Sequence, residues 1–85
     1  MNNRNVFIKK LIYRSKYTGT RETDILLGNF AENHLKNLDD ENLLAYQSLL
    51  NSGDPRILRL SIDMEKSKSS KENFLINLIR EFKGN

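Results

Sequence analysis

The densest concentration of groups able to do chemistry lies between positions 13 and 24. Tyr13, Arg14, Thr18, Gly19, Thr20, Arg21, Glu22 and Asp24 gather two cations, two carboxylates, a phenol and two hydroxyls around one glycine. These groups suit recognition: hydrogen bonds and ion pairs offered to another molecule from a short turn. Glycine tolerates backbone angles that other residues avoid and lets a second chain approach the backbone closely. Taken alone, Thr18-Gly19-Thr20 reads as an ordinary helix end. The polar groups crowded about it make it a candidate binding site, because loops on rigid scaffolds commonly carry recognition.

Catalytic sets are missing from the sequence. No serine sits in a nucleophile elbow, and neither a GxxxxGK[ST] nor a GxGxxG motif occurs. His34 is the one histidine and there are no cysteines, which removes disulfides, thiolate zinc sites and cysteine nucleophiles. His34 lies in helical register with Phe30 and Leu38, which fits a half-buried structural side chain. Asp39, Asp40 and Glu41 could hold a cation, but helix capping and solvation explain them more simply.

Lys9, Lys10, Arg14, Lys16 and Arg21 cluster near Tyr13 and Tyr17, a mixture that could touch phosphates or bases. The plainer reading is a solvated helix face, and a third is a rim of charge that steers a protein partner. Over the whole chain, 14 Lys and Arg stand against 11 Asp and Glu, for a net charge of +3. That excess is too small and too interspersed to indicate nucleic acid.

With 85 residues, 38% hydrophobic and 29% charged, the chain fits one small soluble domain spanning residues 1–85. No apolar run approaches the ~20 residues of a membrane helix. The opening Met1-Asn-Asn-Arg-Asn5 is polar, so a cytoplasmic location is expected.

The elements that must position the turn are helices. Phe7, Ile8, Leu11, Ile12 and Ser15 recur at spacings of three and four, which predicts a helix from Val6 to about Lys16. A second runs from a Thr20 cap to about Leu38, with Glu22 and Asp24 in its first turn and Leu27, Phe30, Ala31, His34, Leu35 and Leu38 on its apolar stripe. Asp39 or Asp40 caps a third, whose Leu43, Leu44, Tyr46, Leu49 and Leu50 face the core. Asn51-Ser-Gly53 stops it. Asp54-Pro55 reads as N-cap and first residue of a fourth helix to about Met64, carrying Ile57, Leu58, Leu60 and Ile62. Residues 65–70 read as a polar loop. Ser69 and Glu72 have capping-box spacing ahead of a last helix with Phe74, Leu75, Leu78, Ile79 and Phe82. The expected fold is all-α, a small compact bundle of five helices.

The segment from Leu11 to Ala31, LIYRSKYTGTRETDILLGNFA, resembles the opening of SdhE proteins, the bacterial counterparts of the mitochondrial succinate dehydrogenase assembly factor. The likeness continues through His34-Leu35, Leu38, Leu43, Tyr46, Leu49-Leu50 and Asp54-Pro55, covering roughly residues 8 to 62. It implies a five-helix domain that binds the flavoprotein subunit of succinate dehydrogenase and promotes covalent attachment of FAD to a histidine there. Some members also serve the related fumarate reductase subunit.

A monomer is expected, and the resemblance further implies a chain that holds no cofactor stably, supplies no nucleophile and is not itself an enzyme. It places partner binding on the turn, at Tyr13, Arg14, Thr18, Gly19, Thr20, Arg21, Glu22 and Asp24. The family hallmark is an Arg-Gly pair followed, after two residues, by Glu. Gly19 and Glu22 match it, while Thr18 stands where the arginine is expected. Leu60 stands where many members carry a tryptophan in the fourth helix, and reads as core. A side chain placed at Gly19 is expected to block docking and leave the helices intact. The alternatives outside this family are a small nucleic-acid-binding protein and a regulatory interaction module.

Overall fold

The computed structural model describes residues 3–84, and side chains as far as residue 82; Met1, Asn2 and Asn85 lie outside the described residues. The order is α1 (Asn3–Lys16), α2 (Arg21–His34), a 3-10 turn (Leu35–Asn37), α3 (Asp40–Asn51), α4 (Asp54–Ser61) and α5 (Ser70–Gly84). Among the described residues there is no strand. The expected all-α bundle of five helices is borne out.

One core joins all five helices. It runs through Ile8 and Leu11 of α1, Leu27, Phe30 and Ala31 of α2, Leu43, Tyr46 and Leu49 of α3, Ile57 and Leu60 of α4, and Leu75, Ile76 and Ile79 of α5. Each large apolar side chain so buried contributes roughly 1.5–3 kcal/mol. Leu60 is fully buried, as expected for a core position. His34 is half-buried, stacked on Phe30 at 5.0 Å and edge-on to Phe82 at 5.3 Å.

The α1–α2 hairpin is the most closely packed helix pair. Gly28 allows it: a Cβ there would lie 3.0 Å from Lys16 Cγ, so the glycine face of α2 seats against the end of α1. Lys16 then pairs with Glu32 one turn further along α2. Deeper in, Ser15 Oγ donates to Leu11 O at 2.7 Å and shares a 2.6 Å hydrogen bond with the Tyr46 hydroxyl of α3. Burial pushes the Tyr46 phenol well above its usual range.

Several boundaries differ from the sequence expectation, each for a local reason. α1 starts at Asn3 rather than Val6, because Arg4 anchors that first turn to the Asp40 carboxylate and the Leu38 carbonyl. α2 stops at His34; Leu38 is extended, and the chain tightens through the 3-10 turn to deliver Asp39 as the cap of α3. That cap holds, with Asn42 N–H donating to Asp39 Oδ1 at 2.9 Å.

Gly53, at φ 89°, is the N-cap of α4, and Asp54 is its first helical residue, one position earlier than expected. α4 ends at Ser61 instead of Met64 because Asp63 turns left-handed at φ 63°. Leu44, Ile62 and Phe74 are exposed rather than in the core, and Ile76 takes the place expected of Phe74. Ser69 caps α5, accepting from Glu72 N–H at 3.1 Å. The Glu72 carboxylate does not complete the box. It turns to Lys68 N–H at 2.7 Å and to the Arg56 guanidinium of α4.

Candidate functional site

The α1–α2 turn is organised around Asp24. One oxygen, Oδ1, accepts from the Thr18 hydroxyl at 2.7 Å, the Thr18 N–H at 2.6 Å and the Gly19 N–H at 3.3 Å. The Thr18 hydroxyl and N–H, helped by the Gly19 N–H, hold this carboxyl below the usual carboxylate range against the opposing effect of burial. Thr20 caps α2, with Thr23 N–H donating to its Oγ1 at 3.4 Å while its own hydroxyl donates to Thr23 Oγ1 at 2.8 Å. Thr18, Thr20 and Asp24 therefore make the frame of the turn.

Gly19 has φ 142°, in the region that favours glycine. A Cβ there would meet the Asp54 carboxylate, 3.0 Å from Oδ2 and 3.2 Å from Cγ. The start of α4 thus takes the space a side chain would need. A residue such as arginine at position 19 strains the turn itself, which corrects the expectation that it would act on docking alone.

The outward groups differ in how they are held. Arg21 and Glu22, in the first turn of α2, are exposed. Arg14 is exposed but fixed, its Nη2 donating to Asn51 Oδ1 at 2.7 Å. That partner is a neutral amide, so the guanidinium keeps its charge. Tyr13 is 66% exposed and Tyr17 68%, with ring centroids 4.8 Å apart. Because the Thr18 hydroxyl is committed to Asp24, and Lys16 to Glu32, positive charge around Gly19 is offered by Arg14 and Arg21.

Beside the turn, a shallow groove runs between α2, α4 and α5. It is lined by Glu22, Ile25, Leu26, Asn29, Leu58 and Phe82. Glu22 is thus both a turn residue and the rim of an apolar depression. Sequence reasoning missed three features here. Asp54 under Gly19 and Asn51 on Arg14 come from residues 35 and 37 positions away, and both had simpler readings as cap and helix stop. The groove had a faint signal in Ile25, which lies off the apolar stripe of α2.

Among the described residues, no group of three His, Cys, Asp or Glu side chains could hold a metal ion, and no helix is long and apolar enough to cross a membrane. What the turn offers chemically is exposed charge, hydrogen-bonding groups and two exposed aromatic rings.

Residues 9–83 match the family model Sdh5, flavinator of succinate dehydrogenase. The chain belongs to that family. The resemblance to SdhE proteins is thereby borne out. Succinate dehydrogenase assembly factor 2, mitochondrial, of Caenorhabditis briggsae is 52% identical over 42 residues, 49% of this chain and 34% of that protein. The protein of the same name from Saccharomyces cerevisiae (strain YJM789) is 49% identical over 45 residues, 53% of this chain and 28% of its own. Assembly factor 2-A of Drosophila willistoni is 31% identical over 75 residues, covering 86% of this chain and 48% of that protein. Each match spans less than half of the relative's length. All three are named as assembly factors, not as enzymes. No solved structure matches the chain.

Proposed function

We propose that this flavinator-family chain docks on the flavoprotein subunit of succinate dehydrogenase and promotes covalent attachment of FAD to a histidine of that subunit. One observation carries the reading: an internally braced turn on which Arg14, Arg21, Glu22 and Tyr13 face outward. Thr18, Thr20 and Asp24 hold its backbone from within. Preorganised groups of this kind lose little conformational freedom on binding, which favours association.

The proposed mechanism is conformational. Arg21 and Glu22 form ion pairs or hydrogen bonds with the partner, Tyr13 and Arg14 flank them, and Gly19 sets the path of the backbone between. Binding stabilises the state of the flavoprotein in which flavin and histidine are aligned, so that attachment becomes a well-positioned intramolecular step. In this reading the chain is not an enzyme: it holds no cofactor of its own, and the flavin bond forms wholly within the partner. It acts as a monomer, in the cytoplasm, before the partner joins its complex. Service to a fumarate reductase flavoprotein belongs to the same reading.

The test is co-expression with the matching flavoprotein subunit, followed by denaturing electrophoresis and flavin fluorescence of the band. Covalent flavin should rise with the chain present and fall back with Glu22→Lys or Arg21→Glu. Equal fluorescence with and without the chain overturns the proposal.

A further inference from the structure

α1 carries two stripes. Ile8, Leu11 and Ser15 face the core. A second stripe, Val6, Lys9, Lys10, Tyr13 and Arg14, follows the same three-and-four spacing along the outer face, and Tyr17 continues it just past the helix end, into the α1–α2 turn. Val6, Lys9, Lys10, Tyr13 and Arg14 line one shallow groove there, whose accessible floor is apolar.

The charge along this stripe is one-sided. α1 contains Arg4, Lys9, Lys10, Arg14 and Lys16 and no acidic residue. Lys16 is neutralised by Glu32, and Arg4 reaches Asp40. Lys9, Lys10 and Arg14 make no ion pair with an Asp or Glu of the described residues. Next to them, two tyrosine rings stand about two-thirds exposed and against each other. Tyrosine and arginine are the residues most enriched where binding energy concentrates, and unneutralised cations raise the rate of meeting an acidic partner.

From this we infer that the outer stripe of α1 is a second contact surface, which takes an acidic, amphipathic segment of the flavoprotein. The apolar floor receives a ridge of apolar side chains. Lys9, Lys10 and Arg14 meet carboxylates at its edge, and Tyr13 and Tyr17 cover the end next to the turn. An apolar groove flanked by three cations suits a protein segment better than a phosphate backbone, which needs a longer run of positive charge. The inference rests on the docking proposed above and extends its footprint from the turn along the helix.

The experiment measures affinity of the full chain for the purified flavoprotein subunit at low and moderate salt, with a single-stranded RNA oligonucleotide and vesicles of mixed neutral and anionic lipid as further arms. Wild type is expected to bind the flavoprotein with an affinity that falls as salt rises. Lys9→Glu with Lys10→Glu should weaken binding roughly tenfold at low salt and flatten the salt dependence. Tyr13→Ala with Tyr17→Ala should weaken it at every salt concentration. These positions are exposed, so thermal unfolding of both double variants should match wild type. Flavoprotein binding that is indifferent to both double variants overturns the inference and leaves the turn as the docking site. Capture of RNA or vesicles through the same residues, with flavoprotein binding unaffected, also overturns it. No flavoprotein binding by wild type sinks the docking reading and this extension together.

Discussion

At the scale of single residues, the Ser15–Tyr46 pair separates two effects that are often merged. Both hydroxyls are buried, but only Ser15 has a second partner, the Leu11 carbonyl. Tyr46→Phe therefore leaves Ser15 satisfied and is expected to cost about 1 kcal/mol. Ser15→Ala leaves a buried phenol with no partner and is expected to cost more, roughly 1–3 kcal/mol. Urea unfolding of the two variants and of the double variant gives the ranking. Asp24 offers a second case. Asp24→Asn keeps one acceptor oxygen but removes the charge that three donors now share on it, so the Thr18 and Gly19 amides should lose protection from hydrogen exchange. The site residues were legible from sequence as a crowd of polar groups. Their division into inward frame and outward contacts was not, because Thr18 and Asp24 meet across six positions through a turn that composition does not specify.

At the scale of elements, the helices were legible because their cores follow a 3.6-residue period and their starts carry caps. Thr20, Asp39 and Ser69 all cap as their chemistry dictates. The failures fall where a tertiary contact overrides the local signal. Glu72 has capping-box spacing, yet Arg56 lies close enough to claim its carboxylate with two hydrogen bonds of 2.9 and 2.7 Å. Leu44 and Phe74 carry the right apolar character but sit at the edge of their stripes. The closeness of α1 and α2 was likewise invisible, since it depends on which face of α2 Gly28 occupies. Gly28→Val is expected to push against Lys16 and part the hairpin, at roughly 1–3 kcal/mol. Its thermal midpoint, compared with that of an exposed α2 substitution such as Asn29→Val, checks the claim.

At the scale of the whole molecule, acid should be the condition that loosens it. Arg56 joins α4 to the following loop and to α5, donating to Glu65 at 2.5 Å and to Glu72 at 2.7 and 2.9 Å. Hydrogen bonds from Arg56 and the Lys68 N–H hold the Glu72 carboxyl below its usual range against burial; Arg59 and Arg56 do the same for Glu65. Carboxyls depressed in the folded state contribute stability above their unfolded range, about pH 4, and lose it as pH falls through the lower folded values. The urea midpoint is therefore expected to be insensitive to these groups between about pH 5 and 8 and to drop below about pH 4. Glu72→Gln should lower the midpoint near neutrality and make the acid drop shallower. A parallel curve for the variant would show that this cluster does not govern acid sensitivity.

The two adjoining surface tyrosines have a spectroscopic consequence. The chain has three tyrosines and no tryptophan. Two of them are exposed, Tyr13 on the outer face of α1 and Tyr17 just past its end, and the third, Tyr46, is sealed in the core. Its intrinsic ultraviolet emission therefore divides into a surface pair that an added quencher can reach and a buried reference that it cannot. Iodide quenching of the free chain should show both populations. Occupancy of the α1 face would appear as loss of the quenchable fraction, with no label attached and with the core signal as its internal standard.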